Sequence, residues 1–297
     1  MSTTEEALLS PELLHRLERL ELVTRKIFRG KFKGQRRSQR KGQSVEFADF
    51  RNYVPGDDLR FIDWNTYARL DRLFYKLFLE EEDLHFYALI DVSRSMDFGD
   101  PTKFRWAQQL AAALGFIGLI RSDRVRIEPL GPAAMQPSPV LRGRGSVWRL
   151  MDYITSLEVN DTALGLSEGI KQFCVRNSGQ GIVVLITDLM DKRGYEAALR
   201  YLMAARMDIY VIHILAHEEL HPELKGDLKL VDCEDGDEAD ITVSGPLLKR
   251  YEQTLQAFIG TARDFCGRRD IVHLLAHNRV PVDQLITNYL RRRGLVR

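Results

Sequence analysis

Phe86-Tyr87-Ala88-Leu89-Ile90-Asp91-Val92-Ser93-Arg94-Ser95 is the stretch on which the reading of this chain turns. A short apolar run of this kind reads as a buried strand. It ends in one carboxylate and two hydroxyls at alternating positions, a spacing that keeps Asp91, Ser93 and Ser95 on one side of an extended turn. In an open α/β sheet, ligands bind beyond the carboxyl ends of the strands. An oxygen-only cluster placed there suits a hard cation such as Mg²⁺, with Mn²⁺ and Ca²⁺ as alternatives. Two later segments can complete it. Thr162 opens the helical pattern Thr162-Ala163-Leu164-Gly165-Leu166, and Asp188 follows the strand-like run Ile182-Val183-Val184-Leu185-Ile186-Thr187. The plain alternative is that Asp91, Ser93 and Asp188 cap the turns and helices that follow them. Asp97 and Asp100, in Met96-Asp97-Phe98-Gly99-Asp100-Pro101, can hold waters around an ion or serve only as turn residues before the next helix.

Strand and helix patterns alternate from this point on. Strands are expected at about 85–91, 124–130, 181–187, 208–215 and 270–275. Helices are expected at about 103–121, 146–156, 163–176, 193–205, 246–266 and 282–292. That rhythm predicts an α/β fold with a doubly wound, mainly parallel sheet. A small β insertion interrupts it at about 217–244, where Leu228-Lys229-Leu230-Val231-Asp232 and Asp240-Ile241-Thr242-Val243 flank an acidic turn.

The region before Leu84 divides into an N-terminal helix and basic arm at 1–43 and a lead-in segment at 44–83; the α/β domain then occupies 84–297. Ser10-Pro11-Glu12 is a helix start, and leucines at helical spacing predict a helix over 11–28. The basic arm at 25–41 reads as a loop or mobile arm, a solvated linker or a docking segment for an acidic partner rather than a contact to nucleic acid or anionic lipid. Leu73-Phe74-Tyr75-Lys76-Leu77-Phe78-Leu79 has strand composition. The charges of Gly56-Asp57-Asp58-Leu59-Arg60, Asp63-Trp64 and Arg69 read as an ion-pair network that fixes this segment on the domain.

Two motifs mislead. His217-Glu218-Glu219-Leu220-His221 matches the zinc-protease string, but that chemistry needs both histidines on one continuing helix. Here the string follows a strand and is cut by Pro222, so a solvated loop is expected. His213, in the preceding strand, reads as a satisfied core histidine. Arg142-Gly143-Arg144-Gly145-Ser146 lacks the spacing of a nucleotide phosphate loop and reads as a turn capped by Ser146.

Asp-x-Ser-x-Ser, then Thr162, then Asp188 resembles the metal-ion-dependent adhesion site of von Willebrand factor A domains. Tyr53-Val54-Pro55-Gly56-Asp57-Asp58, Arg60, Ile62-Asp63-Trp64 and Ala68-Arg69 resemble the bacterial DUF58 family, whose members contain such a domain. Gly226-Asp227-Leu228, Leu230-Val231-Asp232 and Glu234 extend that likeness, which covers roughly 40–290. The resemblance implies a von Willebrand A-like, Rossmann-like fold. It also implies a non-enzymatic module that grips a partner carboxylate through Mg²⁺ held by Asp91, Ser93, Ser95, Thr162 and Asp188. The partner it implies is a MoxR-type AAA+ ATPase. Two rivals remain: a metal-dependent hydrolase or phosphotransfer enzyme, and a structural interaction protein with a vestigial metal site. The first lacks a second Asp at Ser93 and a clearly placed base.

Composition bounds the rest. At 297 residues with a net charge of +1, the chain can bury a sizeable core, and bulk charge favours no particular partner. No apolar run approaches membrane-spanning length. Three scattered cysteines, Cys174, Cys233 and Cys266, form no disulfide framework or metal motif, and Met1-Ser2-Thr3-Thr4-Glu5-Glu6 has no signal-peptide pattern. A cytoplasmic protein is the expectation.

Overall fold

The structure, a computed structural model, describes residues 8–23, 46–79, 84–131, 135–160, 165–177, 181–232 and 236–297. The basic arm, Thr162 and Cys233 lie outside these residues. The chain forms two compact units, one from 1–25 with 84–297 and one from 26–83.

In the larger unit, α1 (Pro11–Leu17) starts as its sequence predicts, with Ser10 accepting a hydrogen bond from the Leu13 amide. It ends eleven residues sooner than the periodicity suggested, if the expectation of 28 is set against Leu17. Leu22 instead bridges antiparallel to Val296, and the Val23 amide donates to the Leu295 carbonyl. Leucine spacing alone does not register that competing backbone partner.

The smaller unit holds β1 (Glu46–Asn52), α2 (Trp64–Leu70) and β2 (Phe74–Leu79), and the two strands pair antiparallel. The sequence reading found β2 and missed β1. Arg51 lies across from Tyr75 in the register and stacks its guanidinium 4.5 Å from that ring. The described ion pairs of this segment close within it. Arg51 grips Asp57 with two hydrogen bonds of 2.7 and 2.6 Å, and Arg60 engages Asp58. Asp63 caps α2 by accepting from the Asn65 and Thr66 amides.

The sheet of the larger unit begins with β3 (His85–Asp91), α3 (Lys103–Ile120) and β4 (Arg124–Leu130). Then come β5 (Leu141–Arg142), α4 (Val147–Thr155), α5 (Leu166–Arg176), β6 (Ile182–Thr187), α6 (Glu196–Ala204) and β7 (Asp208–Leu215). The one-turn α7 (His217–Leu220), the hairpin β8 (Gly226–Val231) and β9 (Glu238–Val243), and the long α8 (Gly245–Gly267) follow. β10 (Val272–His277) and α9 (Val282–Gln284), which continues as a π-helical turn (Leu285–Leu290), close the chain. The order across the sheet is β10-β7-β6-β3-β4-β5, parallel except for the β5 edge. The fold is therefore α/β with a mainly parallel central sheet, and β8–β9 is the expected insertion.

Alternate residues of the strands feed opposite cores. Phe86, Ala88 and Ile90 join α3 on one face, while Tyr87 and Leu89 join α5 and α6 on the other. α3 is buried almost all round, as its apolar sequence requires, between the sheet and α1, α4 and α9. The chain leaves β3 toward β4 but leaves β6 toward β7, in the opposite direction. The crevice between such diverging connections is where doubly wound sheets bind ligands. Asp91 and Asp188 both stand there.

Candidate metal centre

Asp91 is the last residue of β3. Because Ile90 pairs with Ile186, the next residue of each strand falls side by side, and the Thr187 hydroxyl donates to Asp91 Oδ2 at 2.6 Å. The Ser93 amide donates to Asp91 Oδ1 at 3.0 Å, closing the turn that the capping alternative anticipated. That turn aims two hydroxyls at each other, with Ser93 Oγ and Ser95 Oγ 3.0 Å apart, and both serines remain partly exposed. Three of the five expected ligands are thus brought together on one loop.

Asp188 follows β6 and is 1 % exposed. Its Oδ1 accepts from the Met190 amide at 3.0 Å, and its Oδ2 accepts from Lys103 Nζ at 2.9 Å. Thr162 lies outside the described residues. The strand of chain before it is fastened to the site: the Asn160 amide donates to the Val92 carbonyl at 2.8 Å, and the buried Gln108 amide holds the Ile154 and Leu157 carbonyls. Asp97 and Asp100 are exposed in the following turn.

The two carboxylates differ in proton affinity. Burial pushes Asp91 above the usual carboxylate range, and the negative charge of Asp188 pushes it further. Burial would raise Asp188 as well, but the Lys103 ammonium outweighs it and holds that carboxyl below its ordinary value. Lys103 is itself raised: desolvation is overcome by the charges of Asp188 and Glu219. Among the described residues, Asp91 is therefore a buried carboxylate without an ammonium or guanidinium partner, with hydroxyl oxygens beside it. This donor set fits a hard, oxygen-seeking ion, and the partly exposed serines leave that ion a face toward solvent. Among the described residues, no group of three or more His, Cys, Asp or Glu side chains is placed to hold a metal. The present set has two carboxylates and takes its remaining oxygens from hydroxyls.

Sequence reasoning missed Lys103 and Glu219. Lys103 is fully buried and bridges Asp188 to Glu219 Oε1, the latter at 2.7 Å. The signal in the sequence was a lysine at the head of a largely apolar helix. Glu219 belongs to the string expected to be a solvated loop, which is instead the one-turn α7, with His221 beyond its end. The Ala216 amide donates to Glu219 Oε2 at 2.6 Å, closing that turn. Nδ1 of His213 lies 3.2 Å from His273 Nε2, while its buried Nε2 has no hydrogen-bond partner among the described residues. Ser146 sits at the expected cap position, but its hydroxyl donates back to the Arg142 carbonyl.

The sequence of this chain matches the family model described as "Protein of unknown function DUF58" over residues 49–257. It is also similar to uncharacterized proteins of Mycobacterium bovis and of two strains of Mycobacterium tuberculosis. Each is 26% identical over 230 residues, covering 76% of this chain and 72% of the relative. The match takes in both strands that carry the candidate carboxylates and the ion-paired segment around Asp57, and it spans well over half of the sequence: the chain belongs to the DUF58 family.

Proposed function

We propose that this protein binds Mg²⁺ at the carboxyl ends of β3 and β6 through Asp91, Ser93, Ser95, Thr162 and Asp188, and uses that ion to grip a carboxylate of a protein partner. Mn²⁺ and Ca²⁺ are chemically acceptable substitutes. The observation that carries the reading is Asp91: a carboxylate at the switch point, raised in proton affinity by burial and then by the charge of Asp188, beside two converging hydroxyls. A divalent ion relieves that repulsion, and a site with few charged ligands keeps a position open for an outside carboxylate. The position of Asp91 and Asp188 at the strand carboxyl ends of a mainly parallel sheet supports the reading, and the likeness to a von Willebrand A-like domain rests on resemblance. By resemblance alone, the partner is a MoxR-type AAA+ ATPase and the protein is its adaptor rather than an enzyme.

The test is calorimetric titration of Mg²⁺ and Mn²⁺ into the wild type and Asp91→Ala. Saturable binding that the variant loses supports the reading. Equal binding by both proteins places the ion elsewhere and removes it. One observation favours a second reading, a structural interaction protein without an ion: the Lys103 ammonium already balances one of the two carboxylates. On that reading neither protein binds an ion, and Asp91→Ala retains its partner.

A further inference from the structure

Lys103 has no role in the metal-centred reading, yet it is the most costly side chain in the neighbourhood. Its side chain is 0 % exposed, and its ammonium contacts Asp188 at 2.9 Å and Glu219 at 2.7 Å. A buried lysine is tolerated only when it is paired and hydrogen-bonded. The pairing here joins three loops at one end of the sheet. Lys103 comes from the head of α3, Asp188 from the end of β6, and Glu219 from α7 beyond β7.

The Glu219 end is tightly held. Its second oxygen accepts from the Ala216 amide, and its backbone carbonyl accepts from the Tyr251 hydroxyl at 2.8 Å. Asn278 clamps the same layer, accepting from the His217 amide at 2.9 Å and donating to the Pro101 carbonyl at 2.6 Å. Gly99 lets the turn after the serines approach, since a Cβ there would stand 2.3 Å from Asn278 Nδ2. The ammonium is therefore fixed in place, with no freedom to withdraw when a second cation arrives.

We propose that Lys103 is a positioning residue that acts as a built-in competitor of the divalent ion. It shares Asp188 with the ion and weakens the intrinsic affinity of the centre. This rests on the metal-centred reading and adds its regulation. Electrostatics gives the two ends of the bridge opposite signs. Removing the lysine charge leaves Asp91, Asp188 and Glu219 as three carboxylates without a counter-charge, so a cation binds more tightly. Removing the glutamate charge leaves the ammonium to act on Asp188 undivided, so a cation binds more weakly. A purely structural ion pair predicts the same outcome for both, a damaged site.

The experiment is calorimetric titration of Mg²⁺ and Mn²⁺ into the full-length wild type, Lys103→Met and Glu219→Gln, with circular dichroism to establish folding. At the effective dielectric of such sites, a unit charge a few ångströms away is worth roughly tenfold or more in affinity. The expected result is tightening by at least that factor in Lys103→Met and weakening in Glu219→Gln. A folded Lys103→Met that binds no more tightly than wild type overturns the inference and leaves the proposed function standing. Should Lys103→Met not fold, the doubly neutralised Lys103→Met/Glu219→Gln decides: tighter binding than wild type supports the inference, and equal or weaker binding overturns it. A wild type that binds no ion while Lys103→Met binds one supports the inference and closes the isolated wild-type site. A wild type that binds none, with no binding gained by Lys103→Met, overturns both.

Discussion

The smaller unit and the sheet end of the larger unit each contain a basic residue shared with carboxylates, and they use it in opposite ways. Arg51 meets Asp57 through a two-pronged bond within one segment, with the arginine about one-third exposed. Asp57 is held below its usual range by that bond. Lys103 sits in full burial, serves two carboxylates at once, and leaves Asp91 beside them raised in proton affinity. The first arrangement is a satisfied clasp. The second buries an ammonium between two carboxylates and sets a third beside them, and that excess of negative charge marks the functional candidate.

The comparison breaks most readily at Lys103. Lys103→Met leaves Asp188 and Glu219 buried without their partner, and removal of one member of a buried pair costs about 3–5 kcal/mol. Urea unfolding in metal-free buffer should show a loss of that size. A loss no larger than that of a surface pair would mean that the ammonium is not the counter-charge of the layer. Gly99 tests the packing of the same layer without touching charge. Its φ is 93°, and an added Cβ collides with Asn278 and Ala216. Gly99→Ala should cost about 2 kcal/mol, and the same unfolding series reads it.

Much of this architecture was legible before the structure. β3, β6 and β7 fall, to within a residue, where their apolar runs place them, because strands buried on both faces read as near-continuous hydrophobic stretches. Asp91, Ser93 and Ser95 were legible for a local reason: three residues on one turn have little freedom to diverge. Lys103 and Glu219 were not, since their pairing spans 116 positions and depends on loops from three connections meeting. The string around Glu219 actively misled, because Pro222 argues correctly against a long helix but says nothing of a single turn. α1 stopped early for a related reason, a backbone partner supplied by the far C-terminus.

The His213–His273 pair shows a third way to manage buried ionisable groups, which is to keep them neutral. Burial pushes His213 down to about 3 and His273 down to about 4, and each also feels a neighbouring positive charge as unfavourable. The folded pKa lies below the unfolded value near 6.5, so the unfolded chain takes up protons first as pH falls. Stability is full above the unfolded value and declines from about pH 6.5 toward 4. The His273 contribution should be on the order of 2 kcal/mol across that window. Comparing wild type with His273→Gln in unfolding curves at pH 7 and pH 4.5 checks it; parallel pH dependence in the two proteins would remove His273 as a source of acid sensitivity.

The smallest effect belongs to the clasp. Arg51→Ala removes both bonds to Asp57 and the stacking on Tyr75, but Asp57 retains the Val54 amide as a donor. Water reaches the carboxylate once the guanidinium is gone, so no buried charge is stranded. The loss should be slight and should shrink as salt screens the pair. Lys103→Met should keep its penalty at high salt, because ions in solution do not reach a fully buried ammonium site. Unfolding both variants at low and high ionic strength therefore separates the two arrangements by their salt response rather than by size alone. If Arg51→Ala proved as costly and as salt-resistant as Lys103→Met, the clasp would have to anchor more than its own segment, and the contrast between a satisfied pair and a charge-deficient layer would lose its physical basis.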